Sequence, residues 1–553
     1  MNQLSKDTAL YFLPLGGANE IGMNLNLYGY GDQWLMVDLG TSFADDSMPG
    51  VEMIVPDTTW IADRKDKLLG LVLTHAHEDH LGAISHCWHE LGCPIWATGF
   101  AASVLRRKLE EKGIEELVPI HIYKPGERID LGPFEITPIG ITHSTPESQA
   151  LAIRTPHGVV LHTGDWKLDA DPVLGPATDR AAIQALGDAG VLAMVCDSTN
   201  VFSRGRSGSE GAVRDSLKTL LADRPGRIAV TTFASNLARL ETLFDVAQHI
   251  GRRICLIGRS LHRFTAAARE NGYLQDRPGL VDEQEAGFLP RDKVMYVCTG
   301  CQGEVRGAMA RIAFDQHQHV GLTAGDLVVF SSKIIPGNER TLFRLHNELV
   351  LRGIEVITEK DAFVHVSGHP SRDELADMYA MARPRIAIPV HGEPRHLVEH
   401  ARFAKSLQVP HGLVPRNGDM VRLAPGLPEV VQEVPAGRLA IDGDELIPLQ
   451  GGTLQSRRKL GFNGVALVSL AVDETGQLEA DPMVSFAGVL NGDADVVAGR
   501  IAEAVGDAID ALPRRRRADA DLEEAALKAL RRALKPLTGR KPICQVHIIR
   551  LSD

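Results

Sequence analysis

Four potential metal ligands fall within six residues, in the stretch Leu73-Thr74-His75-Ala76-His77-Glu78-Asp79-His80-Leu81-Gly82. The apolar run Gly70-Leu71-Val72-Leu73 before them reads as a buried strand, and Leu81-Gly82-Ala83-Ile84 after them as the start of a helix. The ligands therefore occupy a strand-to-helix loop, where side chains converge on a pocket. In extended backbone His75 and His77, two residues apart, point the same way. Asp79 and His80 turn the corner and can face a second ion. Imidazole together with carboxylate suits zinc or a similar divalent metal. A single histidine in a polar loop would carry little weight, but H-x-H-x-D-H after an apolar strand is specific.

Two further strand ends deliver the same residue types. Ile141-Thr142-His143-Ser144 follows one strand, and Val159-Val160-Leu161-His162-Thr163-Gly164-Asp165 ends another. Another apolar run closes on Cys196-Asp197-Ser198-Thr199-Asn200. Later come His365-Val366-Ser367-Gly368-His369 and Pro389-Val390-His391-Gly392-Glu393.

At 553 residues the chain has room for about three to four domains. No apolar run reaches the roughly 18 residues of a membrane span. Residues 1–7 lack the apolar core of a signal peptide, so a cytoplasmic location without membrane attachment is expected. Seven scattered cysteines argue against a disulfide framework. Cys298-Thr299-Gly300-Cys301 has no second pair, and reads as two unrelated thiols near a turn. A net charge of −12 is not the footprint of a protein that coats nucleic acid with its whole surface, although a narrow basic channel is compatible with it.

The order of elements suggests nested domains. Strands at 11–15, 24–28 and 34–38 form an antiparallel meander ahead of the metal stretch. After the Gly/Ser/Arg loop at 203–209, strands alternate with helices, as in a mostly parallel sheet covered on both faces. There Ser235 is the expected N-cap of a helix over 236–250. A strand at 386–390 and another near 419–423 return to the first domain. The expected organisation is a metal domain (1–205 and 371–437) interrupted by an inserted domain (206–370). A Gly-rich linker (438–458) and a small C-terminal α/β domain (459–553) follow. In that last domain a helix over 521–535 is expected to start on Asp521. The segment 514–541 carries ten Lys/Arg against four Asp/Glu, which reads as a solvated helix face more readily than as an RNA contact.

The H-x-H-x-D-H stretch resembles the signature of the metallo-β-lactamase superfamily. With Asp197, His369 and His391 the resemblance narrows to its β-CASP nucleases, in which a nucleic-acid-binding domain is inserted into the metal domain. Histidine at 391, where DNA-acting members typically carry valine, is similar to the RNA-acting members. Gly16-Gly17-Ala18-Asn19-Glu20-Ile21-Gly22, Thr232-Phe233-Ala234-Ser235-Asn236, Thr299-Gly300-Cys301-Gln302-Gly303-Glu304 and the run 331–339 look like the bacterial ribonuclease J family. The likeness covers roughly 10–425 and is looser beyond 450. Met23 stands where lysine is usual, at a position that is not a ligand.

The resemblance implies an αββα metallo-β-lactamase sandwich with an inserted β-CASP α/β domain and a small C-terminal α/β domain. It implies two divalent ions per subunit, zinc by preference, with manganese accommodated by the same ligands. His75, His77 and His143 would hold one ion, Asp79, His80 and His391 the other, and Asp165 would bridge. Asp79, Asp197 and His369 would stand closest to the chemistry. The segment His365-Val366-Ser367-Gly368-His369 would hold a phosphate of single-stranded RNA, and 331–339 would line its channel. The implied activity is 5′-to-3′ exonuclease action on 5′-monophosphate RNA, with internal cutting, in RNA processing and decay. The C-terminal domain would assemble a homodimer or homotetramer, and RNA-decay proteins are the expected partners. A DNA nuclease of the same group, a small-molecule metallohydrolase and a non-catalytic RNA-binding scaffold remain the alternatives. The inserted domain argues against the small-molecule reading, and the complete ligand set against the scaffold.

Overall fold

A computed structural model describes residues 8–551 apart from 46, 276, 278, 336, 491 and 492. The expected absence of a signal sequence at 1–7, and Pro336 of the 331–339 run, lie outside the described residues. The chain divides into two compact units, Met1–Ser42 with Ile54–Arg438, and Phe43–Met53 with Leu439–Asp553.

In the first unit two sheets face each other. One has eight strands, ordered Glu429–Glu433, Asp419–Ala424, Leu10–Gly16, Leu25–Tyr30, Gln33–Val37, Leu68–Val72, Ile95–Ala97 and Ile120–Ile122. The other has seven, ordered His411–Gly412, Ile386–Val390, Val191–Asp197, Gly158–His162, Gln149–Thr155, Phe134–Gly140 and Ile129–Leu131. Their inner faces share one core, in which Phe12, Tyr28 and Val72 of the first sheet meet Phe134, Leu151 and Ile388 of the second. Each such fully buried side chain contributes about 1.5–3 kcal/mol. The outer face of the second sheet is covered by the helices Arg180–Ala189, Arg372–Ala382 and Pro394–Ser406. This is the expected αββα arrangement.

Strands Val191–Asp197 and Ile386–Val390 are parallel neighbours, with Asp197 opposite Val390. Almost all of the chain between them builds a separate five-stranded sheet, ordered Arg253–Ile257, Val294–Cys298, Ile228–Thr231, Leu327–Phe330 and Glu355–Ile357. Every pairing in it is parallel, and helices such as Leu237–His249 and Glu339–Leu351 connect its strands. The insertion leaves the host register intact, so Asp197 and His391 leave adjacent strand ends side by side.

The second unit carries the sheet Met483–Ala487, Val465–Val472, Ile543–Arg550. Ala466, Val468, Leu470 and Val472 alternate into a core with Ile501, Val505, Leu522 and Leu530 of the helices Ala494–Asp510 and Asp519–Thr538.

Four local expectations are corrected. The stretch 438–458, read as a linker, contains the antiparallel hairpin Arg438–Asp442 and Glu445–Pro448 and the first turns of the helix Gly452–Asn463. A paired Arg457–Asp442 contact fixes it, with Nη1 and Nη2 at 2.8 and 2.7 Å from the carboxylate. Its polar composition reflects exposure, not lack of structure. The helix after Ser235 is capped one residue later, by Asn236, whose side chain accepts from Arg239 N. The helix expected from Asp521 starts at Asp519 with Ala518 as N-cap, which puts Asp521 in the first turn. There its carboxylate favours the positive helix end without capping it. Glu429–Glu433 is a further strand, exposed along its length and so lacking any alternation to reveal it.

Candidate active site

The site lies at the carboxyl ends of strands from both sheets. His75 follows Leu68–Val72, and His77 is the N-cap of a short helix, Glu78–Leu81, so Asp79 and His80 stand on a helical turn that begins earlier than expected. Asp165 follows Gly158–His162, Asp197 ends Val191–Asp197, and His391 follows Ile386–Val390.

These strand ends bring three overlapping groups of ligand atoms together, each within 4.8 Å: His75, His77, His143 and Asp165; Asp79, His80, Asp165 and His391; Asp165, Asp197, His369 and His391. Asp165 belongs to all three. Its Oδ2 lies 3.2 Å from His80 Nε2, 3.8 Å from His391 Nε2, 3.9 Å from His75 Nε2 and 4.0 Å from His143 Nε2. His391 Nε2 is also 3.1 Å from Asp79 Oδ2.

Hydrogen bonds select which nitrogen of each ring faces inward. His80 Nδ1 is 2.7 Å from Asp38 Oδ2, which also accepts from Thr74 Oγ1 at 2.8 Å. His143 Nδ1 is 2.7 Å from the Gly368 carbonyl, and a Cβ at Gly368 would stand 2.7 Å from the His143 ring, so only glycine permits the approach. His391 Nδ1 is 2.8 Å from Thr199 Oγ1. Each ring thereby presents Nε2 to the centre, the arrangement that fixes tautomer and orientation in metal sites. His77 is turned the other way. Its Nε2 meets Ser144 Oγ at 3.2 Å and its Nδ1 lies 3.1 Å from His143 Nε2. His75 Nε2 and Asp165 Oδ2 are buried without a hydrogen-bond partner. A buried carboxylate oxygen ringed by imidazole nitrogens on converging strand ends is a donor set that fits divalent cations, in chemistry suited to zinc or manganese.

The charge balance divides the cluster: one group of histidines is neutral, while against the effect of burial the carboxylates hold His80 and His391 as cations in the absence of a metal. Burial pushes His75 and His143 well below the usual imidazole range and His77 down to about 4, so these three rings are neutral at neutral pH, the form that can bind a metal. Burial also disfavours a charged His80, but Asp165, Asp38 and Asp79 outweigh it and hold the ring well above its usual range. For Asp165, burial opposes the carboxylate form, yet His391, His80 and His369 hold it well below the usual range.

Beside the cluster, His369 Nδ1 is 2.8 Å from Asp197 Oδ2. Ser367 Oγ accepts from Asn200 Nδ2 at 2.7 Å and from His369 N at 3.1 Å, and Asn200 also donates to the His369 carbonyl. Ser367, Gly368 and His369 thus border the cluster. Val366 is buried against Gly208, and His365 lies outside the ligand groups with its Nδ1 unpartnered. Behind the loop, fully buried Arg239 pairs with Glu210 (Nε to Oε1 2.5 Å, Nη2 to Oε2 3.0 Å) and donates through Nη1 to the Val364 and Ser331 carbonyls at 3.0 and 2.9 Å. It ties the 331–339 run to the loop that ends in His369.

Asp38, Thr199, Asn200 and Arg239 were not singled out from the sequence. Asp38 and Asn200 left a signal, a polar residue closing or following an apolar strand. Arg239 left none, because an arginine on a helix reads as exposed. Cys298 and Cys301 are both buried free thiols, and burial raises both, so the C-x-x-C is part of the core.

Comparison with known proteins resolves the family. Residues 34–191 match the beta-lactamase superfamily domain, 225–349 the beta-CASP domain of ribonuclease J, 353–411 the RNA specificity domain of Zn-dependent metallo-hydrolases and 452–551 the ribonuclease J C-terminal domain. The ribonuclease J of Sinorhizobium meliloti is 42% identical over 100% of this chain and 99% of its own length. The chain belongs to the ribonuclease J family. Ribonuclease J proteins of Synechocystis and Corynebacterium glutamicum are 36% and 37% identical, each over 89% of this chain and over 77% and 69% of their own lengths. A solved structure of a protein of unknown function from Enterococcus faecalis V583 shares the fold, with a TM-score of 0.52 at 16% identity over 74% of this chain and 99% of that one. A ribonuclease J is a metal-dependent RNA nuclease, a hydrolase of the metallo-β-lactamase superfamily, and the histidine–aspartate clusters of this chain could bind the metal that such chemistry uses. Among the described residues no helix is long and apolar enough to cross a membrane.

Proposed function

We propose that the chain hydrolyses single-stranded RNA at this cluster with two divalent ions, zinc by preference, acting 5′ to 3′ from a 5′-monophosphate end and also cutting internally. The observation that carries the two-ion reading is Asp165, whose Oδ2 is buried without a hydrogen-bond partner and which is common to all three groups of ligand atoms. His75, His77 and His143 would hold one ion and Asp79, His80 and His391 the other, with Asp165 available to both. When bound, such a pair lowers the pKa of a water molecule and neutralises charge developing at phosphorus.

The chain's own residues supply the rest. Burial disfavours a protonated His369, but Asp197 and Asp165 reverse the balance and raise its pKa above the usual imidazole value. With Nδ1 committed to Asp197, Nε2 is the nitrogen available to a substrate, and protonates the leaving oxygen. Asn200 holds Ser367 and the His369 carbonyl, so the loop offers backbone N–H groups to a phosphate from a fixed position. That arrangement would seat a terminal monophosphate beside the cluster.

We assign work in the cytoplasm, in keeping with seven free thiols, and self-association into a homodimer or homotetramer through the C-terminal domain. Met483 and Ile549, 70% and 53% exposed on strands of its sheet, support that contact.

The test is a time course on one labelled RNA with 5′-monophosphate, triphosphate or hydroxyl ends, beside the matching DNA. Mononucleotides released chiefly from the monophosphate RNA support the reading. Internal fragments indifferent to the 5′ end would make the enzyme an endonuclease, and equal cleavage of DNA would favour a DNA nuclease.

A further inference from the structure

A second cavity lies in the inserted domain, away from the ligand groups. It has a volume of about 290 Å³ and opens at the carboxyl ends of Leu327–Phe330 and Glu355–Ile357, where parallel α/β sheets bind ligands. Its walls are Phe330, Ile334, Leu342, Phe343 and His346, and the turn 358–361 closes one end. Phe330 and His346 meet edge to face at 4.3 Å between centroids, which sets two flat walls at an angle. Phe343 stands 48% exposed at the wall, an aromatic face without full cover. His346 Nε2 is buried and has no hydrogen-bond partner, although its ring borders open space. An orphaned buried polar atom in a native fold calls for a partner.

The chemistry of the lining restricts the occupant. Three aromatic rings and the aliphatic walls of Ile334, Leu342 and Val356 favour a flat apolar body. One unpaired ring nitrogen asks for a single hydrogen bond deep in the cavity. Glu359 and Asp361 lie at the end of the cavity beside Lys360, so the rim carries more negative than positive charge and disfavours an anion bound there directly. Asp361 Oδ2 is already occupied by Thr358 N and Oγ1 at 2.9 and 2.7 Å, which holds the turn in place. The volume stands at the lower end of ligand cavities, roughly 300–1,000 Å³, and suits one ring system.

The cavity wall is also linked through the chain to the loop at the site. Ser332 and Ile334 line it, while Ser331, between Phe330 and Ser332, turns its hydroxyl to the Val364 carbonyl at 2.7 Å. The wall of the cavity and the loop leading to His369 are therefore joined through Arg239. We propose that this cavity is a nucleobase-binding subsite, in which a base stacks on Phe343 and bonds to His346 Nε2. The choice of a base rests on the ribonuclease reading, since RNA is then the planar heteroaromatic that passes this wall. The base comes either from the substrate RNA or from a free nucleoside.

The experiment follows saturation-transfer NMR of adenosine, guanosine, cytidine and uridine with the full-length metal-loaded protein and with Phe343→Ala, His346→Leu, Ile334→Trp and Asp165→Ala variants. Nucleosides lack phosphate and so bypass the loop at His369. The proposal expects transfer from at least one nucleoside, retained in Asp165→Ala and weakened at least tenfold in Phe343→Ala and His346→Leu. Ile334→Trp, which puts a large ring into the cavity and leaves His346 unmutated, abolishes it. No transfer from any of the four, or transfer that survives all three cavity variants, overturns the proposal. Photocrosslinking of RNA carrying 5-iodouridine then separates the sources. Attachment at Phe343 or His346 assigns the base to the substrate, and nucleoside binding without attachment assigns it to a free nucleoside. An enzyme that cleaves RNA but binds no nucleoside loses the subsite and keeps the nuclease reading, and a protein that binds but cleaves nothing does the reverse.

Discussion

His369 Nδ1 lies 2.8 Å from Asp197 Oδ2, although 172 positions separate them and most of the inserted domain intervenes. The pair exists because Val191–Asp197 and Ile386–Val390 remain parallel neighbours around the insertion, so that the chain leaving the inserted domain passes the end of the strand that entered it. On the proposed mechanism Asp197 is a positioning residue, whose carboxylate favours a protonated His369. Asp197→Asn should lower kcat about 10²- to 10⁴-fold, the usual worth of a placed general acid. KM and bound metal should change little, and the alkaline limb of the pH–rate profile should move to lower pH. Steady-state kinetics with metal analysis reads all of these, and a loss of metal equal to the loss of activity would make Asp197 a ligand instead.

Asp38 belongs to none of the ligand groups, yet it accepts from His80 Nδ1, Thr74 N and Thr74 Oγ1. Removing such a partner commonly costs 10- to 100-fold in metal affinity. Asp38→Ala should release one ion to a competing chelator at correspondingly lower chelator concentration while the other is held nearly as before. Metal release followed with a chromogenic chelator checks this, and an unchanged titration would show that His80 is oriented without it.

Arg239 and Glu210 form a buried ion pair, and breaking one by removing a single partner costs about 3–5 kcal/mol. Arg239→Met should therefore destabilise the protein in urea unfolding by that order. Glu210→Leu with Arg239→Met should recover much of the stability but not the activity, since Ser331 and Val364 lose their shared donor. Recovery of both would reduce Arg239 to a packing role.

Burial lowers His162 and His400 to about 4, where Tyr28 and the Ser198–Tyr379 pair bond to their rings. An unfolded histidine titrates near 6.5, so between about 6.5 and 4 the unfolded chain binds more protons and stability falls as pH falls. Each group contributes a slope of about 1.4 kcal/mol per pH unit in that window. His400→Leu should be less stable at pH 7 and should lose stability less steeply towards pH 5. Parallel lines for variant and wild type in urea titrations would contradict the assignment.

Much of this architecture was legible because strands and ligands coincide. The apolar run before His75 and the run ending in Asp197 announce both their burial and their cargo, and His143, Asp165 and His391 follow the same rule. The supports were harder to read. Thr199 and Asn200 act through partners more than 160 positions away, His391 and Ser367, and local sequence carries no trace of such pairings. The hairpin at 438–448 was hidden for the opposite reason: it is short and polar, and a paired arginine and aspartate fix it with little apolar alternation.

The central claim is that RNA hydrolysis depends on two ions meeting at Asp165. The most direct measurement is a reconstitution of chelator-treated protein with zinc or manganese, counting bound ions by native mass spectrometry while following cleavage of 5′-monophosphate RNA. The account predicts activity that rises only as the second ion binds, and a variant, Asp165→Ala, that retains at most one ion and cleaves nothing. Full activity with one ion, or cleavage by Asp165→Ala at the wild-type rate, would contradict it.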